Sequence, residues 1–279
     1  MTSETPPADI AEALARAAVK PDDAEAQYKL GLTYIDHEMY PDAIAPLRRA
    51  CELQPQWTLA YMNLSLALTS SGDGIGGELA AQAAMALDPS AALVYMRLGN
   101  ALLQQGRSEA AAAMFRKQLD RTPGDLNVHC NLGLALLSVG QCDEAISEFR
   151  MVLSAYPNSF FALNGAGRAL VENGEYEEAV GMLQRASVID GTDVGNWEHL
   201  AGALLRQDRY GEALRPLERI LAIQPDSLFA NYNTAAVLTK LGRPNVARRY
   251  ATRAMELDPH NELVAEVDVV LRDLLKDSR

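Results

Sequence analysis

Four histidines, three cysteines and 37 carboxylates are the side chains of this 279-residue chain that could do acid–base, nucleophilic or metal chemistry. His37, His129, His199 and His260 never stand with one another, or with a cysteine, at metal-ligand spacing on one helix face, and there is no HExxH. His37 and His260 fall near turns and read as plain solvent contacts. Cys51, Cys130 and Cys142 are odd in number and form no CxxC, so they read as small apolar filler. Neither GxxxxGK[ST] nor GxSxG occurs. The carboxylates scatter over helix surfaces; adjacent Glu177 and Glu178 read as a solvated helix start favoured by the helix dipole. One stretch does spell a nucleotide motif. Gly72, Gly74 and Gly77 give GxGxxG after LSLAL. That fingerprint needs a strand before it and a βαβ unit around it, and the surrounding register is helical instead.

The elements that would have to position any such group follow one period. With Ala24 as place one, the pattern of residues 24–57 returns every 34 residues. Place eight reads Gly31, Ser65, Gly99, Gly133, Gly167, Ala201 and Ala235. Place twenty reads Ala43, Gly77, Ala111, Ala145, Ala179, Ala213 and Ala247. Place thirty-two is proline in every unit except at Gly191. Seven units fit without insertion or deletion, and a fixed period of this size marks stacked repeats. Within a unit, apolar residues recur at three- and four-residue steps. Leu132, Leu136 and Val139 line one helix of the fourth unit; Ala145, Phe149 and Val152 line the next. Gly106, Gly140 and Gly174 stand where a first helix should end, and Pro157 stops a second. The small residues at places eight and twenty are expected to let two backbones approach closely. One pair cannot bury its own apolar face, so each needs its neighbours.

This pattern resembles the tetratricopeptide repeat family: Leu-Gly at places seven and eight, a large residue at eleven, Tyr at seventeen, Ala at twenty and twenty-seven, Phe or Leu at twenty-four, Pro at thirty-two. The resemblance implies an all-α fold, a right-handed superhelical solenoid of stacked antiparallel helix pairs. The expected division is a disordered tail and N-terminal capping helix over 1–23; seven units over 24–57, 58–91, 92–125, 126–159, 160–193, 194–227 and 228–261; and a closing helix over 262–279. Asp9 is expected to cap the first helix, Ile10 to Val19, which Pro21 stops. Pro41 suits the first turn of a helix and Pro46 stands deeper in it. The second unit departs most. Gly74 replaces the aromatic at place seventeen, Gly77 the alanine at twenty, and Ala81 the large residue at twenty-four. A late-starting, loosely packed second helix is expected there.

The resemblance also implies a concave wall built from the first helix of each pair, with places two, five, six, nine and thirteen facing inward. Carried over, this gives an apolar stretch of Tyr28, Leu32, Leu59, Met62, Leu66, Leu93 and Met96. A more polar stretch holds Asn63, Arg97, Asn100, Asn131, Asn164 and Arg168. The expected occupant is a protein partner, a peptide or helix whose carboxylate meets Arg97 and Arg168 and whose backbone meets the asparagine amides. The clamp by which some members hold chaperone tails is not reproduced: Asn63 and Arg97 match it, but Tyr28, Leu32 and Leu93 stand where Lys, Asn and Lys belong.

A net charge of −12 argues against nucleic acid as partner. No apolar run is long enough for a membrane span, and the first residues do not read as a secretory leader. The expectation is a cytoplasmic, non-catalytic interaction module without cofactor or metal. The alternatives are a self-associating scaffold that uses its end helices or outer face, and an enzyme with an unrecognised site.

Overall fold

The computed structural model describes residues 7–260. Every regular element among them is a helix: α1 Ala8–Val19, α2 Ala24–Asp36, α3 Tyr40–Leu53, α4 Thr58–Ser70, α5 Gly74–Leu87, α6 Val94–Gln104, α7 Ser108–Leu119, α8 Leu126–Ser138, α9 Cys142–Ala155, α10 Phe160–Glu172, α11 Tyr176–Ile189, α12 Val194–Arg206, α13 Tyr210–Ile223, α14 Leu228–Lys240 and α15 Pro244–Leu257. The fold is an all-α helical repeat. It comprises two compact units, the first ending at Val139 and the second starting at Gly140. In the first, α1 packs on α2 and each later helix packs on the one before it; α2, α4, α6 and α8 also touch in succession. In the second, α9 to α15 pack in the same sequential way, and α10 touches α12. The expectations for residues 1–6 and 261–279 lie outside the described residues.

Side-chain size at two places of the period sets the packing. A Cβ added to Gly99 would lie 2.6 Å from the Phe115 ring, and one added to Gly167 would lie 2.6 Å from Leu183 Cγ; Gly31 is met by Leu47 in the same way. At place eight the gap is therefore filled by a side chain rather than by backbone, whereas Gly77 at place twenty lies close to the Ser65 carbonyl, as the sequence suggested. The missing Cβ at place eight houses the large side chain at place twenty-four of the following helix. Leu47, Phe115 and Leu183 are fully buried as a result. Where place eight carries a Cβ, the partner shrinks or the pair is Ala201 with Leu217.

The second unit of the period is the informative exception. Ser65 stands at place eight, and the place-twenty-four residue is Ala81. Ser65 Oγ donates to the Gly77 carbonyl at 2.8 Å, and Ala80, Ala81 and Ala84 are buried. A Cβ on Gly77 would crowd Thr69 and lie 3.2 Å from the Ser65 carbonyl oxygen; one on Gly74 would crowd Gln104 and lie 3.2 Å from the Ala101 carbonyl oxygen. Helix α5 thus starts at place seventeen like its counterparts, with Asp73 accepting from the Gly76 N–H at 2.8 Å. The expected late start and loose packing are wrong, because the glycines answer close neighbours. The apparent nucleotide motif is accounted for too: LSLAL lies on α4, Gly72 in the turn, Gly74 and Gly77 on α5. Gln104 and Gln105 of α6 and its C-terminal cap donate to the Gly72 and Gly74 carbonyls at 2.9 and 3.0 Å.

The late helix is α6. Place thirty-four carries a capping side chain before most first helices: Asp23, Asp125, Ser159, Asp193 and Ser227 all accept from N–H groups of the turn that follows. The equivalent residue before α6 is Ala91, which has nothing to offer. The chain passes through Leu93 in the left-handed region (φ +63°), and α6 begins at Val94. At the other end of the chain, α1 starts at Ala8 behind Pro7, so Asp9 lies inside the first turn rather than at the cap. His37 is not a plain solvent contact. Its Nε2 lies 2.7 Å from Asp9 Oδ2 and joins α1 to the end of α2; this bond holds the Asp9 carboxyl below its usual range. Helices α3 and α13 continue through buried Pro46 and Pro216 to Leu53 and Ile223. Cys51, Cys130 and Cys142 are free thiols, and burial pushes Cys51 up to about 12.

The turn within each pair demands φ above zero at place fifteen. Gly72, Gly106, Gly140, Gly174 and Gly242 supply it, while Glu38 (φ +57°) and Asp208 (φ +54°) are forced into it. Two outcomes follow. Glu38→Gly should raise unfolding stability by about 1 kcal/mol in urea titration, since the left-handed region penalises a Cβ by that order. Gly99→Ala should lower it by about 1–3 kcal/mol through overpacking. Adding Phe115→Leu, which copies the Ala201–Leu217 pair, should recover part of that loss; a strictly additive double mutant would refute the pairing.

Candidate partner-binding face

The side chains carried over by register divide into groups the structure brings together and groups it separates. In the first unit, Tyr28 of α2 lies against Trp57, ring centroids 4.3 Å apart, and its hydroxyl accepts from Asn63 Nδ2 at 2.9 Å. Burial raises the Tyr28 phenol. Leu32 lines a cleft of about 300 Å³ between α1 and α2, with Glu12, Arg16 and Asp36 on its rim. On α4, Leu59 is 55% exposed and Leu66, two turns on, is half-buried.

Met62 does not belong to the face. It is 6% exposed, inside a cluster with Ala84 and Val94 against which Leu93 and Tyr95 pack. The left-handed turn at Leu93 brings Leu93 and Val94 onto Met62, so the two residues read as groove lining are packing partners. Met96, one turn into α6, is half-buried.

Arg97 follows it and is the odd member. Its side chain is half-buried, its Nε is buried without a hydrogen-bond partner, and no ion pair holds it among the described residues. Burial pushes the guanidinium below its usual range. With Ser65, Leu66, Thr69, Ser70 and Asn100 it lines a small cavity of about 30 Å³. Thr69 Oγ1 is likewise buried and unpartnered. A guanidinium with spare donors beside two hydroxyl groups is a ready receptor for a carboxylate. Sequence reasoning passes over Thr69 and Ser70. Their helix spacing, three and four residues beyond Leu66, is the signal that puts them beside it.

The asparagines are largely spent on one another. Asn131 Nδ2 donates to Asn100 Oδ1 at 3.0 Å, just as Asn63 serves Tyr28. In the second unit Asn164 Nδ2 donates to Asn196 Oδ1 at 3.1 Å, and Asn196 Nδ2 to the Leu183 carbonyl at 3.0 Å. These bonds tie adjacent helices, so the amides are not idle donors for a partner backbone. Arg168 of α10 repeats the character of Arg97: half-buried, with its Nε buried and unpartnered. Burial first, and then the nearby Arg168 charge, lower the His199 imidazole. Among the described residues no three His, Cys, Asp or Glu side chains converge as a metal site would require, and no helix is long and apolar enough to cross a membrane.

Solved structures share this arrangement. MamA 41-end from Desulfovibrio magneticus RS-1 matches at TM-score 0.57 and 19% identity, over 61% of this chain and 97% of that one. A tetratricopeptide repeat protein from Parabacteroides merdae ATCC 43184 matches at TM-score 0.61 and 14% identity, over 89% and 98%. YrrB, described as a TPR protein with an unusual peptide-binding site, matches at TM-score 0.55 and 22% identity, over 66% and 95%. No curated protein matches the sequence. The family model for the tetratricopeptide repeat matches residues 8–56, 77–125 and 130–193, more than half of the chain. With the period, the caps and the helix pairing in agreement, the chain belongs to the tetratricopeptide repeat family.

Proposed function

We propose that this protein is a non-catalytic protein–protein interaction module, an adaptor, scaffold or assembly factor, and that α4 and α6 of its first unit hold a partner peptide or helix. Repeat proteins of this kind serve as interaction scaffolds, and YrrB is described as carrying a peptide-binding site. The observation that carries the reading is Arg97. An unpaired, half-buried guanidinium costs folding free energy, and nothing among the described residues offsets it. A partner carboxylate would, with Ser70 and Thr69 as further donors. Leu59, Leu66 and Met96 supply apolar surface beside it, suited to a helix or extended segment. The seven-unit division of 24–261, with α1 as an end cap, belongs to the same proposal and is supported by the places at which α2 to α15 begin. So does a cytoplasmic setting, which the three free thiols support. The partner is a protein and not a nucleic acid, as the −12 net charge favours.

Affinity capture from the native source tests this by comparison between variants. Arg97→Glu and Leu66→Glu should each weaken retention of one common partner by about 2 kcal/mol or more, roughly thirtyfold, as interface anchors do. Leu79→Glu, on the exposed face of α5, should retain it. Undiminished capture by Arg97→Glu, or equal loss with Leu79→Glu, would place the partner elsewhere.

A further inference from the structure

Four arginines at the start of the second helices or along them reach back to a carboxylate. Arg49 reaches back to Asp22 at 2.5 Å, Arg107 to Glu78 at 2.7 Å, Arg209 to Glu177 at 2.8 Å, and Arg253 to Asp226 at 2.7 Å. Each joins a carboxylate on an earlier part of the chain. Between α14 and the middle of α15 cations gather without carboxylates among them. Residues 240–253 hold five cations, Lys240, Arg243, Arg248, Arg249 and Arg253, and no Asp or Glu, within a chain of net charge −12. Among the described residues only Arg253 has carboxylate partners; Arg249 rests on its neighbour Tyr250, 4.5 Å from the ring centroid. Lys240, Arg243 and Arg248 are exposed and unpaired among the described residues, with exposed Leu241 and Val246 between them. Like charges so gathered repel, and only an anionic surface relieves them.

The opposite imbalance lies at the start of the chain. Residues 8–42 hold eight carboxylates against three cations. Asp9, Asp22, Asp23 and Glu25 are engaged by His37, Arg49, Lys20 and Lys29. Glu12, Asp36, Glu38 and Asp42 are exposed and without an ion pair among the described residues. Glu12 and Asp36 stand on the rim of the α1–α2 cleft, and Leu14 and Val19 of α1 lie open to solvent.

We infer that a second copy of this chain is the partner of the α14–α15 corner: Lys240, Arg243 and Arg248 of one copy meet Glu12, Asp36 and Glu38 on α1–α2 of the next. Both surfaces carry exposed apolar side chains, and their unpaired charges are of opposite sign, although Arg16 and Lys29 also line the α1–α2 cleft. The contact joins two different surfaces, so it is heterologous and each copy keeps one free end. Growth does not stop at two copies unless a ring closes. Exposed charges carry it, so salt weakens it.

Sedimentation velocity over a concentration series reads this directly. The wild type should grow in size with concentration at low salt and revert to monomer at high salt. Arg243→Ser with Arg248→Ser, and separately Glu12→Gln with Asp36→Asn and Glu38→Gln, should each raise the apparent dissociation constant by about tenfold or more. Mixed, the two variants should form a one-to-one complex that grows no further, because each retains the surface the other lacks. A wild type that stays monomeric at low salt would overturn the inference, as would a mixture that forms no complex. So would capture of an RNA oligonucleotide through Arg243 and Arg248 by a chain that remains monomeric. Arg97→Glu should leave the assembly unchanged, so failure here and failure of the α4–α6 reading are told apart.

Discussion

One steric relation recurs in the structure: in three periods the side chain at place twenty-four fills the space that a glycine at place eight leaves empty. Gly99 and Phe115 show its strict form, with no room for a methyl group between them. Protein interiors are packed so densely that a hollow of this size must hold a side chain. Each such pair constrains two residues sixteen apart in sequence, and its helices cannot slide against each other without emptying the socket. Ser65 with Ala81 preserves the relation in inverse. The hydroxyl takes volume, the partner gives it up, and a hydrogen bond to Gly77 joins the two helices. Burial is supplied by neighbours along the chain, as in repeat proteins generally.

Helix starts are the second constraint, and one of them shapes the candidate face. Five first helices begin behind an Asp or Ser whose side chain satisfies the first N–H groups. Trp57 and Ala91 cannot; α4 starts on register all the same, whereas α6 does not. The chain turns left-handed at Leu93, α6 begins two places late, and Met62 lies in a cluster with Ala84 and Val94 against which Leu93 packs. What remains open there is Leu59 and, half-buried, Leu66, Met96 and Arg97.

The period made the helices legible. It placed the start of every second helix from α3 to α15 except α5, which was expected late, and it put Gly72, Gly74 and Gly77 between two helices, where only Gly72 lies; Gly74 and Gly77 are on α5. It could not show why Gly74 and Gly77 are glycines, since Gln104, Thr69 and the carbonyls that crowd them come from other helices. Composition counted those glycines as weakness; their neighbours make them close fits. The candidate face was legible to the extent that it depends on one helix. Leu59 is exposed, and Leu66 and Arg97 are half-buried. The pairings between helices were not legible, because the partners of Asn63, Asn131 and Asn164 are set by which helix lies alongside. His37 and Asp9, 28 residues apart, are joined for the same reason.

Arg97, like Arg168, is half-buried and has a buried Nε without a hydrogen-bond partner among the described residues, as a group kept for a ligand would. Replacing it with methionine keeps the length of the stem and removes the charge, so urea unfolding of Arg97→Met separates the two explanations for its presence. If the guanidinium is retained for a partner, the free protein becomes more stable without it, and the transition moves to higher urea with an unchanged slope. A transition at lower urea would mean that Arg97 holds the helices together, and that the α4–α6 face was never built to receive an anion.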